Sequence, residues 1–457
     1  MKLLFSIVLL LLSICSYAQK EFNNWTIGNN NLIFDSENEK FHQINIPSVI
    51  GNFGRYSVSD KDGNIIFYGL AGLIYDKDGN IIFQSENNYF RANSFVALDP
   101  INHNRYYIFY SDLNSSTVHG NSLILSYNIV TYKDGIISVE EKKIKNITQK
   151  NGINSHYFLC IMPNNEFDKL WFITQENNKQ FFTSYLISDG EIIREVESPY
   201  NENHIFTPTT FLRISPEFDR IFILQNRKIV SYGFDNISGI LSDYIELPID
   251  VKCNVFEFSP SGKYLFTALK TKENGINKIS VFRYNASELL EGKILCKKIY
   301  EKEIPANWND IAIADMKLSS NGNIYLLCGE DNRYISKIEN CDSENPIFHF
   351  NALEVPKKFN GISIFPRFLR MSPNFLYQTE GCIGTNFYYR GYNYKSLKWD
   401  FGDGTFSNDK NPKHTYQKDG TYKVKLDIVF SDEETKSLEK EITIRNTIRQ
   451  PKLYEKD

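Results

Sequence analysis

The chain has 457 residues, which is enough for two or three domains and too many for one small domain. Its 51 Lys and Arg residues nearly balance its 55 Asp and Glu residues, and no basic face of the kind that nucleic-acid-binding proteins carry is visible. We therefore expect no nucleic acid among its partners. Aromatic residues make up 14% of the chain, and such residues favour β-strands.

Residues 1–18 have the pattern of a secretory signal peptide. A lysine at position 2 is followed by an apolar run over residues 3–14, and Ser16 and Ala18 place small residues at a cleavage site. Neither this run nor any later segment reaches the ~18 apolar residues of a membrane helix. The alternative is a lipoprotein modified at Cys15, which fits less well because an isoleucine precedes that cysteine. We expect cleavage after Ala18, export, and no transmembrane segment in the mature chain.

Export permits disulfide bonds among the six cysteines that follow the signal peptide. Cys160 and Cys328 lie inside apolar, strand-like runs, and we expect them to be buried free thiols that behave as small hydrophobic residues. Cys341 and Cys382 lie in more polar sequence and form the candidate disulfide pair.

An internal repeat follows the signal peptide, because the sequence DKDGNIIF of residues 60–67 recurs at residues 76–83. Asp-Gly favours a tight hairpin turn, and apolar β-forming residues follow each turn. A looser unit then recurs every ~40–60 residues, the scale of propeller and solenoid repeats. In that unit an apolar strand, a turn and an aromatic-rich strand follow one another, with turns at residues 98–100, 161–163, 214–216, 258–263 and 318–323.

These units predict a β-propeller over residues 23–372, in which four-stranded blades surround an axis and leave only short sheet edges. At ~50 residues per blade the region holds about seven blades, with six or eight as the alternatives. We expect the last blade to combine a strand within residues 362–369 with an N-terminal strand near residues 32–34. A single helical turn is expected at residues 285–290, ended by Gly292.

From residue 377 onwards the pattern changes. The sequence WDFGDGT stands at residues 399–405, HTY at residues 414–416 and GTY at residues 420–422. Between residues 422 and 430 apolar and polar residues alternate, which indicates a strand with one buried face. A segment of ~70 residues with these features predicts a small β-sandwich.

The three segments resemble the signature of the PKD domain, an immunoglobulin-like module, and the resemblance covers residues 378–446, followed by a short tail at residues 447–457. In that family the tryptophan belongs to the core, the Gly-Asp-Gly segment makes a tight turn, and the tyrosine helps to fix the fold. The resemblance implies structural roles for the motif residues, which here are Trp399, Asp400, Gly402, Asp403, Gly404, His414, Tyr416 and Gly420.

The whole layout is also similar to that of exported surface proteins associated with gliding motility and type IX secretion. These proteins carry a signal peptide, a propeller-like region with Ser-Pro-x-Gly-Lys repeats, and PKD modules. Residues 258–266 match that repeat, residues 318–327 match a related one, and residues 25–28 resemble the opening of the region. Such proteins commonly end in a sorting domain, which we do not expect in the tail here. The resemblance implies a secreted or cell-surface location, with the periplasm as the alternative.

No catalytic motif is apparent: the sequence contains no His-Glu-x-x-His, no Gly-x-Ser-x-Gly and no Walker loop, and we expect no cofactor. The Asp-Gly loops lack the glycine and glutamate spacing of an EF-hand, so a hairpin turn is predicted there rather than a metal site. In the PKD segment, Asp400, Asp403 and Asp409 leave a calcium ion as the alternative. Asp310 and Asp315 are the acids that we would suspect first if the propeller hydrolysed a polysaccharide.

The sequence therefore predicts an exported binding or adhesion protein without catalytic activity, whose partner is a glycan or an envelope or extracellular protein. The alternatives are a propeller enzyme that acts on polysaccharide, with the PKD domain as an accessory module, and a structural component of the envelope. A channel lined by several carboxylates with a tyrosine or histidine would favour the enzyme. A neutral, aromatic-rich flat face would favour binding.

Overall fold

The computed structural model shows an all-β chain with 34 strands and one short helix among the described residues. No helix among them is long and apolar enough to cross a membrane. The signal peptide and Cys15 lie outside the described residues. Those residues are 22–27, 32–44, 55–60, 62–70, 72–85, 94–114, 122–148, 160–175, 181–199, 211–249, 253–273, 276–304, 313–328, 333–356, 365–369, 371, 373–379, 384–391, 394–430, 433 and 435–444.

Seven consecutive antiparallel sheets form the propeller, and we number them as blades 1 to 7 in chain order. Blade 1 has three described strands, which are β1 (Asn24–Ile27), β2 (Leu32–Asp35) and β3 (Lys40–Gln43). Blades 2 to 7 have four strands each. Blade 2 contains β4 (Arg55–Ser59), β5 (Ile65–Leu70), β6 (Leu73–Asp76) and β7 (Ile81–Gln84). Blade 3 contains β8 (Phe95–Leu98), β9 (Arg105–Asn114), β10 (Ser122–Lys133) and β11 (Ile136–Thr148).

The remaining four blades continue the same pattern. Blade 4 contains β12 (Cys160–Pro163), β13 (Leu170–Gln175), β14 (Phe181–Ser188) and β15 (Glu191–Pro199). Blade 5 contains β16 (Leu212–Ile214), β17 (Arg220–Gln225), β18 (Lys228–Asp235) and β19 (Ile240–Glu246). Blade 6 contains β20 (Val255–Phe258), β21 (Tyr264–Glu273), β22 (Ile276–Asn285) and β23 (Cys296–Ile304). Blade 7 contains β24 (Met316–Leu318), β25 (Ile324–Leu326), β26 (Tyr334–Glu339) and β27 (Ile347–Glu354).

The two copies of the sequence repeat form two hairpin turns of one blade, blade 2. In each copy the leading aspartate accepts a hydrogen bond from the backbone N–H of the asparagine four residues later, and both distances are 2.8 Å, from Asn64 to Asp60 and from Asn80 to Asp76. Gly63 supplies the positive φ of 88° that the first turn needs. The aspartate side chains are therefore occupied by the turns themselves, as the hairpin prediction requires.

Aromatic side chains fill the spaces between neighbouring blades, and this accounts for the aromatic content of the chain. The rings of Phe109 in blade 3 and Phe172 in blade 4 are stacked with their centroids 4.1 Å apart. Between blades 7 and 1, the centroids of Trp25 and Tyr325 lie 5.7 Å apart, and the Tyr325 hydroxyl donates to Glu39 at 2.7 Å. Blade 7 therefore packs directly on blade 1, as the ring of a propeller requires.

The expected composition of the last blade is wrong in the part that the structure describes. The described strands of blade 1 are all N-terminal, and residues 365–369 are not among them. Instead, Phe368 makes a single parallel bridge with Val96 of blade 3. The physical reason is that both aromatic residues of this segment are used in packing: Phe365 packs on Trp25, and Phe368 stacks on Phe22 at 4.7 Å. Residues 362–364 lie outside the described residues.

The one helix, α1 (Ala286–Leu290), lies between blade strands β22 and β23, where the sequence predicts a helical turn. The side chain of Asn285 accepts a hydrogen bond from the Glu288 N–H at 3.3 Å and caps its first turn. Gly292, with a φ of 82°, follows its end. This prediction is confirmed.

The C-terminal domain is a two-layer sandwich of antiparallel strands. Its core contains Trp399, Phe387 and Leu426, which are all fully buried. The first sheet consists of β28 (Asn374–Thr379), β29 (Thr385–Arg390) and β32 (Lys413–His414). The second consists of β30 (Tyr394–Asp400), β31 (Phe406–Ser407), β33 (Gly420–Phe430) and β34 (Thr435–Ile444).

The described cysteines are free thiols. Cys160 and Cys328 are buried, as predicted for residues in apolar runs. Cys341 is also a buried free thiol, and its S–H donates to the carbonyl of Ile338 at 3.3 Å. The expected disulfide to Cys382 is therefore absent from the structure, because Cys341 packs into the core between blades 6 and 7. Cys382 lies outside the described residues.

Candidate functional site

A cleft of about 400 Å³ lies where the first strands of blades 5, 6 and 7 meet the C-terminal domain. Its propeller side consists of these strands, the turns that follow them, and the segment 367–369. Its other side is supplied by residues 373–374 at the start of the C-terminal domain and by Lys436 and Lys440 of β34. Both domains therefore build one cavity.

The turns that line the cleft belong to the repeat that the sequence shows. Each begins with a serine, namely Ser215, Ser259 or Ser319, whose backbone N–H bonds a carbonyl four or five residues later at 2.9 Å. The turns also contact one another: a Cβ atom on Gly262 would lie 2.8 Å from Pro216 of the preceding turn, and Gly262 has a φ of 76°. Only glycine fits this position, so neighbouring turns pack tightly around the channel.

A charged residue occupies the same position in each of these three blades, two residues before the turn serine. These residues are Arg213 in β16, Glu257 in β20 and Lys317 in β24. Since side chains alternate along a strand, equal spacing from the turn places all three at equivalent positions around the channel. In blades 2, 3 and 4 the equivalent residues are apolar, and they are Val58, Ala97 and Met162.

Arg213 is held by two carboxylates. Its Nε lies 2.8 Å from Glu257 Oε2 and its Nη2 lies 2.8 Å from Asp315 Oδ1, and it also donates to the carbonyl of Met316. Burial opposes the charge of this guanidinium, but the attraction of Glu257 and Asp315 outweighs it, so the pKa of Arg213 is raised. This cluster is a buried ion network in which every charge has a partner.

Asp315, one of the two acids singled out in the sequence, therefore forms an ion pair with Arg213. It is 5% exposed, and its second oxygen accepts the N–H of Phe365 at 2.9 Å. Glu257 is held similarly, because its Oε1 accepts the N–H of Phe258 at 2.9 Å. Asp310 lies outside the described residues. Asp315 and Glu257 are thus both engaged by Arg213 and by backbone N–H groups.

Lys317 and Arg367 form no ion pair with a described carboxylate. The Lys317 Nζ lies 4.0 Å from the centre of the Phe368 ring, a cation–π contact. The Nη1 atom of Arg367 is buried and has no hydrogen-bond partner among the described residues. An orphaned donor of this kind on a charged group costs free energy unless a ligand or water satisfies it.

The environment disfavours the charge on both of these side chains. Burial lowers the pKa of Lys317 to about 7, and Arg213 adds repulsion, which Glu257 and Asp315 only partly offset. Burial also lowers the pKa of Arg367 to about 10. Both side chains are half-buried, and both shifts reflect a loss of hydration that the nearby carboxylates only partly offset.

The C-terminal domain is attached to this end of the propeller through polar contacts. Arg390 donates to the carbonyl and side-chain oxygens of Asn165 at 2.8 and 2.6 Å, and Lys410 lies 3.1 Å from Glu166. Both propeller residues belong to the turn between β12 and β13 of blade 4. Above the cleft, Lys440 donates to the carbonyl of Phe375 at 2.7 Å.

Burial lowers the pKa of Lys440, and Glu217 acts in the opposite direction. Burial also raises the pKa of Glu217, and repulsion from Asp219 adds to this effect. Among the residues that line the cleft, cations outnumber carboxylates five to one. The cleft is therefore a cavity that attracts anions. It is neither the carboxylate-lined channel nor the neutral, aromatic-rich face that the sequence analysis considered.

The residues of the Trp-Asp-Phe-Gly-Asp-Gly-Thr signature lie away from the cleft and serve the sandwich. Trp399 is fully buried and donates to the carbonyl of Asp409 at 2.9 Å. The Tyr416 hydroxyl donates to the Phe401 carbonyl at 3.0 Å, and the His414 ring stacks on Phe401 with centroids 4.2 Å apart.

The acidic and glycine residues of this signature also make their contacts within the PKD domain. Asp400 accepts the N–H of Gly402 at 2.9 Å, and Asp403 lies 2.8 Å from His414 Nε2. Gly402 and Gly404 have φ values of 78° and 89°, and Gly420 is the first residue of β33. Among the described residues no group of three or more His, Cys, Asp or Glu side chains is arranged to hold a metal ion.

Comparison with known proteins places the C-terminal domain in a family. Residues 386–445 match the model of the PKD domain. Over 62 residues the chain is 39% identical to the collagenase ColQ1 of Bacillus cereus, which covers 14% of this chain and 6% of the collagenase. The PKD1 domain of the Vibrio cholerae metalloprotease PrtV is 25% identical, covering 16% of this chain and 93% of that domain, with a TM-score of 0.15.

The N-terminal region has its own structural likeness. The solved structure of the Dos1 propeller is 10% identical and covers 74% of this chain and 87% of its own, with a TM-score of 0.36. At these TM-scores the structures say nothing about the activity of this chain. The protein is thus an all-β chain with a β-propeller followed by a sandwich. That sandwich, by its match to the family model, is a PKD domain.

Sequence reasoning did not find Arg213, Lys317 or Arg367. They come from distant parts of the chain, and each stands in an apolar, strand-like run that reads as core. A signal was nevertheless present, because a charged residue two positions before the turn serine recurs in three successive repeats. Aligning the repeats on their turns, rather than on their apolar runs, would have revealed it.

Proposed function

We propose that this protein is an exported binding protein of the extracellular space or the cell envelope, and that the cleft between propeller and PKD domain is its ligand site. The single observation that carries the proposal is the cleft itself, which residues of both domains line. Its volume falls within the ~300–1,000 Å³ of small-molecule sites. PKD domains suggest an adhesion-type or accessory role outside the cell, which supports the same function.

The chemistry of the lining supports binding over turnover. Hydrolysis of a glycosidic bond commonly uses two carboxyl groups that reach the substrate, one as a general acid and the other as a base on water or as a nucleophile. Here Glu257 and Asp315 are both locked on Arg213 and on backbone N–H groups. A concave, partly aromatic cleft suits a glycan or the end of an extended chain better than the flat surface of a folded protein.

The test uses purified residues 19–457 on arrays of glycans and of envelope proteins. We expect retention of a ligand without release of product. The variant Leu318→Trp should abolish retention, because Leu318 lines the cleft and a larger ring would fill it. The matched control is Leu295→Trp, which adds the same ring at a position that is 60% exposed.

Equal retention by the wild type and Leu318→Trp would show that the cleft is not the binding site. Product release that disappears in Asp315→Asn would identify a propeller enzyme instead of a binding protein.

A further inference from the structure

The cations that line the cleft differ in whether they form ion pairs with carboxylates. Arg213 faces two carboxylates at 2.8 Å, so its charge is balanced inside the protein. Lys317 and Arg367 form no ion pair with a described residue, although both line the cleft. The nearby acid Asp315 attracts both, but its oxygens are already occupied by Arg213 and Phe365.

Three cations, Arg213, Lys317 and Arg367, lie near only two carboxylates, so one positive charge beside the cavity has no counter-charge, which is costly for a fold. Removing a charge from water is unfavourable unless a partner of opposite sign compensates for the lost hydration, and a buried donor without an acceptor adds to that cost. An anion in the cleft would neutralise Lys317 and offset the charge of Arg367, whose side chain also lines the cavity. Lys436 and Lys440 of the PKD domain would add long-range attraction from the opposite wall.

The walls of the cleft indicate what carries the anionic group. Apolar side chains line it together with the cations, so that apolar faces and charged groups lie side by side. Phe368 offers a partly exposed ring, and Pro216 and Pro260 offer apolar faces on two of the turns. Sugar rings likewise present apolar faces, together with hydroxyl edges, and the volume suits a short oligosaccharide rather than a polymer segment.

We propose that the cleft binds the anionic group of a small acidic saccharide, and that Lys317 and Arg367 are the two cations that receive it. The inference rests on the proposed function, since it assumes that the cleft is a ligand site and adds the chemical class of the ligand. The shared chemistry is a negatively charged substituent on a sugar, either a carboxylate or a sulfate.

Binding should also be linked to protonation. With a pKa of about 7, Lys317 is only partly charged in the free protein at neutral pH. The charged groups that act on it are Arg213, Arg367, Glu257 and Asp315. A bound anion favours the protonated amine and raises its pKa, so the complex takes up a proton and the affinity increases as the pH falls through this range.

The experiment is isothermal titration calorimetry on residues 19–457 with digalacturonate, a sulfated disaccharide, and the uncharged dimethyl ester of digalacturonate as probes. We expect at least one acidic probe to bind and the ester to bind about tenfold more weakly or worse. Affinity should rise from about pH 8 to about pH 6, and heats in buffers of different ionisation enthalpy should reveal proton uptake. The preferred acidic probe distinguishes a carboxylate from a sulfate.

Variants assign the effect to the two cations. Lys317→Met and Arg367→Met should each weaken binding of the acidic probe by about tenfold or more. Lys317→Arg should keep binding and lose the dependence on pH, which separates Lys317 from Glu217 and other titrating groups. Lys293→Met, which removes an exposed lysine outside the cleft, should have no effect.

Thermal melting tests whether each variant is folded. Lys317→Met should melt at or above the wild-type temperature, because it replaces a poorly compensated charge with an apolar chain of similar length. Weak binding by a variant of unchanged or raised stability supports a ligand-binding role for Lys317.

The anionic inference is overturned if no acidic probe binds, if the ester binds as well as the acid, or if both methionine variants bind like the wild type. Should a neutral glycan bind and Leu318→Trp abolish its retention, the proposed function stands while the anionic ligand is rejected. Should Leu318→Trp leave binding of an acidic probe unchanged, the cleft itself is rejected and both proposals fail.

Discussion

The two domains use their sequence motifs in opposite ways. The PKD signature is contiguous and specific, yet its polar side chains make contacts within the domain itself. Asp403 pairs with His414, and Asp400 accepts a hydrogen bond from a backbone N–H of the turn. The propeller repeats are weak and scattered, yet their turns and the residues just before them line the cleft. The specificity of a motif therefore measures how tightly the fold constrains it, and says little about where a ligand binds.

The largest effect that would sharpen this comparison is expected in the PKD core. Trp399→Ala should destabilise the C-terminal domain by about 3–5 kcal/mol, which is most of what a small domain has. Differential scanning calorimetry of the full chain should show loss of one transition while the propeller transition persists. Phe406→Ala, at a 57% exposed aromatic of the same domain, should leave both transitions in place. A Trp399→Ala chain that melts like the Phe406→Ala chain would contradict the role of Trp399 as core.

A comparable effect is expected in the charged half of the propeller. Arg213→Met leaves Glu257 and Asp315 buried without their partner, which should cost about 3–5 kcal/mol of propeller stability. The matched change at the equivalent apolar position, Met162→Leu, should cost less than about 1.5 kcal/mol. Urea unfolding of both variants measures the difference. If the two variants unfold at the same urea concentration, the ion network does not stabilise the propeller.

The smallest effect concerns Asp403 of the PKD signature. Burial opposes its charge, but hydrogen bonds from Thr405 and His414 outweigh burial and lower the pKa of Asp403. The resulting stability is present above the carboxyl's ordinary pKa and is lost as the pH falls through the lowered value. Asp403→Asn should cost about 1 kcal/mol at neutral pH and flatten the acid limb of a plot of stability against pH. An unchanged acid limb would show that Asp403 does not contribute to it.

The PKD domain could be predicted from the sequence because its defining interactions are local. Trp399, Gly402, His414 and Tyr416 lie within 18 residues of one another, so their spacing alone encodes their contacts. The hairpins of blade 2 were predictable for the same reason, since each Asp-Gly turn carries its own hydrogen bonds.

The site could not be predicted in this way because its geometry is a property of the ring. Arg213 and Asp315 are separated by 102 positions in the chain and lie 2.8 Å apart only because blades 5 and 7 face the same channel. The contribution of Arg367 depends on a segment expected to be a strand of the last blade. That segment instead packs through Phe365 and Phe368. The spacing of residues along the chain indicates neither the contact between Arg213 and Asp315 nor the packing of this segment.

The segment that joins the two domains has a mechanical consequence. The backbone N–H of Phe365 donates a hydrogen bond to Asp315 of blade 7. In blade 3, the Val96 N–H donates to the Arg367 carbonyl at 3.0 Å, and the Leu369 N–H donates to the Val96 carbonyl at 2.8 Å. Tension transmitted along the chain from the PKD domain therefore reaches the propeller first at blade 3, through two hydrogen bonds formed around a parallel bridge, while Arg390 and Lys410 add contacts to blade 4. The load bypasses the outer strand of blade 7, the place where a chain pulled from its end would otherwise begin to peel. A surface protein tethered through its C-terminal domain would in this way transmit shear to the middle of the ring and keep its last blade in place.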